Sequence, residues 1–281
     1  MKNRILIRIA LFCKALLLIS VFYSCSQKSN VAPVYAEIPD ANFKACLRKL
    51  VPLAFTADGK FISNHPSVVS YDEIMSIRNK NITSLSGIEY FTSLTSLSCD
   101  DNELTSLDLS KNVSLTKLSC SYNKLKKLDL SKNVNLARLE CYKNELNVLD
   151  VSKNSNLEWL NCESNKLKNL NLGDNKVLRR IHCSYNQLAR IDLKNIANLT
   201  RIDCFRNQLS ALDVSKNKSL TGIYCYDNQI NCLDVSNNKS LVFLAIDYSN
   251  ICCHPSIKEF SERGGDLLDS YLARISPLKC P

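Results

Sequence analysis

The chain has 281 residues, of which 45% are hydrophobic and only 13 are Gly or Pro, so it can form one large domain or two small ones and has no long disordered segment. Its formal charge of +9 includes four Lys and Arg residues in the first 24 positions, and the remaining 32 basic residues exceed the 27 acidic ones by five. Because this small excess is spread along the chain, nucleic acid is excluded as the expected partner.

The N-terminal segment combines a basic start, MKNRILIR, with an apolar run, ALLLISVFYS, that is too short to form a permanent membrane-spanning helix. It resembles a bacterial lipoprotein signal peptide, in which the cysteine after a small residue is lipidated and becomes the new N-terminus. Here Cys25 follows Ser24, although Phe22 and Tyr23 depart from the usual Leu-Ala pattern. The resemblance implies a signal peptide at 1–24, a linker at 25–37 and a lipid anchor as the only membrane attachment. Plain secretion and a retained anchor stay open as alternatives.

An N-terminal cap is predicted over residues 38–73, ahead of the repeats that begin at residue 74, because the first unit of a repeat array would otherwise expose its core. The stretch IPDANFKACLRKLV favours a helix, and Asp40 is a suitable N-cap residue. Its apolar residues recur at helical spacing. They are Phe43, Cys46, Leu47 and Leu50.

Residues 74–251 carry a 21-residue repeat, LxxLxCxxNxL, in about nine coils. The cysteine position is occupied by Cys99, Cys120, Cys141, Cys162, Cys183, Cys204 and Cys225, with Ile246 in the eighth place. This pattern resembles the leucine-rich repeat of internalin-like bacterial proteins, with cysteine in the third leucine position. The resemblance implies a repeat solenoid of short parallel β-strands, with a helical cap at the N-terminus and a small helical cap at the C-terminus.

The repeated cysteines are predicted to pack in the core. In the L-x-C pattern the leucine and the cysteine are two residues apart, so both side chains point to the same face of a strand. A free cysteine is a small, readily buried hydrophobic residue, and Ile246 replaces it without disturbing the pattern. Neighbouring cysteines would lie about 5 Å apart, which by itself allows disulfides. An odd number of them, all pointing inward, fits packing better than disulfides or a metal array.

Each repeat contains a second, similar phrase, as in LKKLDLSKNVN, with its own inward-facing residues and asparagines. One coil is therefore predicted to form two short parallel strands, one on each side. The asparagines suit the tight corners, because their side chains can satisfy the backbone groups of a turn. Ile196 interrupts the second column of asparagines.

The tail from 252 to 281 leaves the repeat and is predicted to form the C-terminal cap. SIKEFSERGG favours a helix that ends at Gly264, and DLLDSYLARI favours another helix. An exported protein can form disulfides. The bridges are assigned as Cys232–Cys253 and Cys252–Cys280, of which only the first has a spacing argument, since 21 residues separate its cysteines.

The outward-facing positions of the first strand differ from coil to coil and carry the only tryptophan of the chain. Aromatic residues and arginine are enriched at binding hot spots, although aromatic side chains also stabilise exposed strands. The second-phrase positions repeat SKN and LDLS and indicate a scaffold. The predicted partner-binding residues are Arg138, Tyr142, Trp159, Arg180, His182, Arg201, Phe205, Tyr224 and Tyr226.

Catalysis is not expected, because the sequence has no phosphate-binding loop, no paired-acid motif and no metal-ligand spacing. His182 and Cys183 are adjacent in a strand and so point to opposite faces, which argues against a catalytic pair. We therefore predict a non-enzymatic protein of the bacterial cell envelope, lipid-anchored in the outer membrane and facing the periplasm or the outside, with no cofactor and no metal.

The resemblance to internalin-like proteins implies protein binding or adhesion, with a partner on a host or bacterial surface. Glycan binding is the alternative, since Trp and Tyr stack on sugars. Arg138, Arg180 and Arg201 favour an acidic protein or a charged polymer.

Overall fold

The computed structural model describes residues 31–247 and 254–269. The chain divides into two units, Met1–Val34 and Tyr35–Pro281, and every element below belongs to the second. Cys25, Cys252, Cys253 and Cys280 lie outside the described residues, so the lipidation site and both disulfides stay predictions. Within the described ranges, no helix has the length and apolar character needed to cross a membrane.

The N-terminal cap contains β1 (Tyr35–Ala36), α1 (Ala41–Leu50), β2 (Phe61–Ile62) and α2 (Pro66–Val69). The Asp40 carboxylate caps α1 by accepting hydrogen bonds from the backbone N–H groups of Asn42 and Phe43, at 3.0 and 2.8 Å. Its second oxygen accepts bonds from Thr83, which ties the cap to the first coil.

The cap also includes two residues that the sequence places in the linker at 25–37. Tyr35 and Ala36 form β1, which pairs antiparallel with β2, so these residues belong to the cap. The residue types of this segment do not indicate a strand, and it is the backbone pairing with β2 that holds the segment against the cap.

The main structure is a ten-stranded parallel sheet on the first-phrase side of the coils. Neighbouring strands pair with a register step that matches the repeat, so equivalent residues of successive coils stand side by side. The strands are β3 (Ile74–Ser76), β4 (Ser96–Ser98), β5 (Lys117–Ser119), β6 (Arg138–Glu140), β8 (Trp159–Asn161), β10 (Arg180–His182), β11 (Arg201–Asp203), β12 (Gly222–Tyr224), β13 (Phe243–Ala245) and β14 (Asp266–Leu268).

The seven repeated cysteines lie in the core beneath this sheet, as the packing argument predicts. All seven are buried free thiols, and Ile246 occupies the same column at 2% exposure. Burial raises the pKa of the Cys162 and Cys225 thiols to about 12, so neither forms the reactive thiolate at neutral pH. The cysteines therefore act as small hydrophobic residues.

A ladder of asparagine side chains links the coils next to the cysteines. The Nδ2 group of Asn165 donates to the carbonyl oxygens of Cys141 and Cys162, at 3.0 and 3.1 Å. Its Oδ1 accepts from the backbone N–H of Leu146 at 3.0 Å. Each side chain of this column thus satisfies backbone groups that would otherwise be buried without partners. The members are Asn102, Asn123, Asn144, Asn165, Asn186, Asn207 and Asn228.

The second side of the coils differs from the prediction of one strand per coil. Among the described residues, only β7 (Val148–Asp150) and β9 (Asn169–Asn171) pair there. Elsewhere local bonds take up the backbone groups, as where the Asp129 carboxylate accepts from the N–H of Ser131 at 2.9 Å. Strand pairing on this side ends after β9, and a groove of about 540 Å³ lies between β9 and residues 190–194 of the next coil.

The C-terminal cap corrects a third prediction. The helix α3 (Pro255–Glu262) is followed by Gly264 at a φ of +87°, as the sequence suggests. The predicted second helix is wrong at residues 266–268, which form β14 and pair parallel with β13. Leu267 is buried, because β14 covers the edge of the sheet and the end of the core.

Candidate functional site

The centre of the ten-stranded sheet carries Trp159 between two arginines. The sheet register places Arg138 on one side and Arg180 on the other. Their guanidinium carbons lie 4.6 and 5.2 Å from the indole centroid. The His182 ring adds a tilted contact at 5.2 Å between centroids. Both sides of the half-buried indole are therefore covered by cationic or imidazole groups of this chain.

The arginines of this face do not all present a free charge, contrary to the simple expectation from sequence. Nε of Arg138 donates to Glu140 at 2.7 Å, and Arg201 forms a two-point contact with Asp203 at 2.8 and 3.1 Å. Arg180 has no ion-pair partner among residues 31–247 and 254–269. Of the three, only Arg180 keeps its charge available to a partner.

A buried acid organises the region beside Trp159. Asp203 is 6% exposed and accepts a 2.7 Å contact from Nδ1 of His182 as well as the bonds from Arg201. Burial works to raise the pKa of Asp203, but the bonds from His182 and Arg201 outweigh it and hold the pKa below its usual value. For Glu163 burial prevails over the attraction of His182, and the pKa is raised. Through its contacts with both side chains, Asp203 fixes the positions of His182 and Arg201.

Aromatic side chains continue the face toward the C-terminal coils. Phe205 stacks on Tyr226 with centroids 4.6 Å apart and planes 10° from parallel, and Tyr185 meets Phe205 edge-on at 5.3 Å. Arg206 lies over the Tyr185 ring at 4.9 Å and donates to its hydroxyl at 2.9 Å. Arg201 lies over the Tyr224 ring, at 4.5 Å. Tyr185, Phe205 and Tyr226 form the largest connected aromatic group of the face within the described residues.

The remaining predicted residue, Tyr142, belongs to a separate group with Tyr122 and Lys143. The two tyrosine rings meet edge-on at 5.2 Å, and Lys143 lies over Tyr122 at 4.6 Å. The structure therefore distributes the nine predicted residues over neighbouring groups on one face and does not gather them into a single pocket.

Four residues of these groups were missed as site residues by the sequence reasoning. They stand directly before the asparagine column, where the backbone has a positive φ near 50° that non-glycine residues seldom adopt. The periodic placement of large side chains at this position is the signal that could have found them. They are Tyr122, Lys143, Tyr185 and Arg206.

A groove of about 290 Å³ lies on the face, between Lys117 and Arg180. Trp159 and Ala137 supply apolar wall, and Glu158 is its only lining acid. No three His, Cys, Asp or Glu side chains of the described residues come together as metal ligands.

Comparison with protein-family profiles and with curated proteins gave no match. Among solved structures, the chain is similar to the functional domain of InlJ from Listeria monocytogenes, which includes a cysteine ladder, at 25% identity and a TM-score of 0.51. A leucine-rich repeat protein of Leptospira interrogans matches at 24% identity and a TM-score of 0.58. The internalin InlF of Listeria monocytogenes matches at 21% identity and a TM-score of 0.61.

The fold is a leucine-rich repeat solenoid. The matches cover 75%, 66% and 87% of this chain, and the chain spans 60%, 51% and 79% of the three solved proteins, in the same order. The internalin-like resemblance drawn from the repeat thus holds at the level of the fold. Solenoids of this kind are generally scaffolds for interaction with other proteins.

Proposed function

We propose that the protein binds another protein through the outward face of the ten-stranded sheet and has no catalytic role. The observation that carries the proposal is the concentration of aromatic and basic side chains around Trp159 on that face. Large aromatic residues and arginine dominate the energetics of protein interfaces. The second side of the coils repeats small polar and lysine residues, and it supports a scaffold role.

Protein is favoured over glycan as the partner by the contacts of the rings themselves. A sugar stacks on an open aromatic face, but Arg138 covers one side of the Trp159 indole and Arg180 and His182 cover the other. Phe205 and Tyr226 likewise use one face each in stacking on one another. The surface offers edges, guanidinium groups and hydroxyls, which suit a protein partner.

The test is capture of a partner by the immobilised chain without residues 1–24, from bacterial envelope extracts and from host-surface extracts. We expect the double variant Trp159→Ala with Arg180→Ala to lose capture. Truncating a central aromatic costs about 2 kcal/mol or more of binding, roughly thirtyfold in affinity. Because Trp159 contacts both arginines, we also expect this variant to lose about 1 kcal/mol of stability, measured by thermal unfolding.

The matched control is Lys132→Ala with Lys153→Ala on the second side, which should capture the partner as the wild type does. Loss of capture in the control with retention in the Trp159 variant would assign binding to the opposite side. Binding that oligosaccharides alone reproduce would replace the protein partner with a glycan.

We also propose that the domain is attached to the bacterial envelope through a lipid on Cys25. The support is the order of basic, apolar and cysteine residues in the first 25 positions. Cys25→Ser should move the protein from the membrane fraction to the soluble fraction in its native host. An unchanged fractionation would remove the anchor from the proposal and leave the binding face untouched.

A further inference from the structure

The groove beside Trp159 has more positive charge than its own chain neutralises. It is lined by Lys117, Arg138, Arg179 and Arg180 with a single carboxylate, that of Glu158. Arg138 is engaged by Glu140, which lies two residues further along β6. Lys117, Arg179 and Arg180 form no ion pair with any residue that the structure describes. Three cations outside any ion pair thus line a partly apolar groove, and the single carboxylate of Glu158 balances only one of their charges.

The residues that line the groove limit what can occupy it. Ala137 and the edge of the indole, whose two faces are covered by arginine and imidazole groups, give walls that suit the methylene groups of a side chain, and the cations stand around them. Guanidinium groups bind carboxylates through paired, charge-assisted hydrogen bonds. A glutamate or aspartate side chain matches both the walls and the charge.

The spacing of the cations suggests an extended segment. Lys117 on β5 and Arg180 on β10 are three strand intervals apart, because β6 and β8 lie between them. Three intervals correspond to roughly 14 Å. An extended chain that crosses the strands covers this distance in about four residues, and residues four apart point to the same side.

We propose that this groove binds an extended acidic segment of a protein partner, with two carboxylates four residues apart that reach Lys117 at one end and Arg179 and Arg180 at the other. The proposal rests on the protein-binding function assigned to the face. It adds the chemical class of the partner group that enters the groove, an acidic side chain, called the acidic anchor below. It also distinguishes Arg180, which is free to bind, from Arg138 and Arg201, which are neutralised by Glu140 and Asp203.

The chain contains one tryptophan, and it lies in the groove, so its fluorescence reports on this site alone. The probe is a five-residue peptide with blocked ends and glutamate at its first and fifth positions. The control peptide has glutamine at both. We expect the glutamate peptide to shift Trp159 fluorescence in a saturable manner that weakens as salt is raised, and the glutamine peptide to leave it unchanged.

Two variants locate the binding. Arg180→Gln should raise the peptide concentration at the binding midpoint about tenfold, the loss of affinity expected for one charge-assisted contact. Lys117→Gln changes an exposed residue that β6 separates from Trp159 in the sheet, so it should weaken binding without altering the fluorescence of the free protein. Lys153→Gln removes the same charge from the second side and should leave the midpoint within about twofold.

Equal responses to the two peptides, or an unchanged midpoint in both Arg180→Gln and Lys117→Gln, would overturn the proposal. A sulfated oligosaccharide that binds where the glutamate peptide does not would assign the groove to an anionic glycan and also overturn it. If Trp159→Ala with Arg180→Ala abolishes protein capture while the glutamate peptide fails to bind, only the acidic anchor is wrong and the binding face stands.

Discussion

On the first side of the coils ten strands pair in one continuous sheet, whereas on the second side only Val148–Asp150 and Asn169–Asn171 pair within the described residues. The two asparagine columns differ in the same way. Asn165, in the first column, uses both ends of its amide: Nδ2 donates to two carbonyls of the cysteine positions and Oδ1 accepts from Leu146. Asn154, in the second column, donates to Leu130 and Asn133, but its buried Oδ1 accepts no bond from any residue that the structure describes.

This comparison shows what a continuous strand ladder contributes to the candidate site. On the first side every outward residue stands beside its counterparts in the neighbouring coils, so a contact such as Arg138–Trp159–Arg180 follows directly from the register. On the second side the backbone is held by asparagine amides and by Asp–Ser turns, and the outward residues repeat. We infer that strand pairing on the first side holds the backbone in place, so its outward residues can differ from coil to coil. On the second side the same residues recur because they form the turns.

The largest expected effect comes from placing a charge under the continuous sheet. Cys162→Asp puts a carboxylate in a fully buried position among leucines, which should cost several kcal/mol and unfold the neighbouring coils. Cys162→Val, which keeps an apolar side chain, should cost less than about 1.5 kcal/mol. Chemical denaturation with circular dichroism measures both.

Labelling provides a second measurement of the same packing. Cys120 to Cys204 should resist thiol reagents at pH 7 until denaturant is added, while the partly exposed Cys46 of the cap should react. Fast native labelling of Cys162 would contradict the account of the cysteine column as packed core.

The second test compares the two asparagine columns directly. Asn165→Ala leaves the backbone N–H of Leu146 buried without its partner, while the carbonyls of Cys141 and Cys162 keep their bonds from Asn144 and Asn186, so we expect a loss of about 2 kcal/mol. Asn154→Ala loses two donated bonds but also removes an unsatisfied oxygen, and should cost about half as much. Urea unfolding of both variants gives the difference. Equal losses would mean that the unpartnered Oδ1 of Asn154 does not distinguish the columns.

The smallest effect concerns acids on the two sides and depends on pH. Burial raises the pKa of Glu163 on the first side, so the folded protein loses stability as the pH rises from 4.5 through that raised pKa. Glu163→Gln should therefore raise the melting temperature at pH 7, and its advantage should vanish in acid, where Glu163 is protonated in both states.

The matched acid of the second side should behave in the opposite way. Hydrogen bonds from Ser131 lower the pKa of Asp129, so its contribution to stability is present above pH 3.8 and is lost as the pH falls below that value. Asp129→Ala should lower the melting temperature at pH 7 and have little effect in acid. Shifts of the same sign for the two acids would contradict the assigned pKa directions.

The sequence determined the repeat, the buried columns and the face that carries the aromatic residues. These follow from spacing alone, because residues two apart in a strand share a face and residues 21 apart occupy equivalent places in successive coils. The buried free thiols from Cys99 to Cys225 and the helix cap at Asp40 could both be predicted in this way.

Only the tertiary structure decided how the coils pair and which charges stay free. Two similar phrases gave a full sheet on one side and a single strand pair on the other, since pairing depends on where the backbone of the next coil lies. The segment 266–268 became a strand because the open edge of β13 offered it partners. Arg138 and Arg201 are neutralised by Glu140 and Asp203, and Arg180 is not, because side-chain contacts depend on distances that a one-dimensional pattern does not contain.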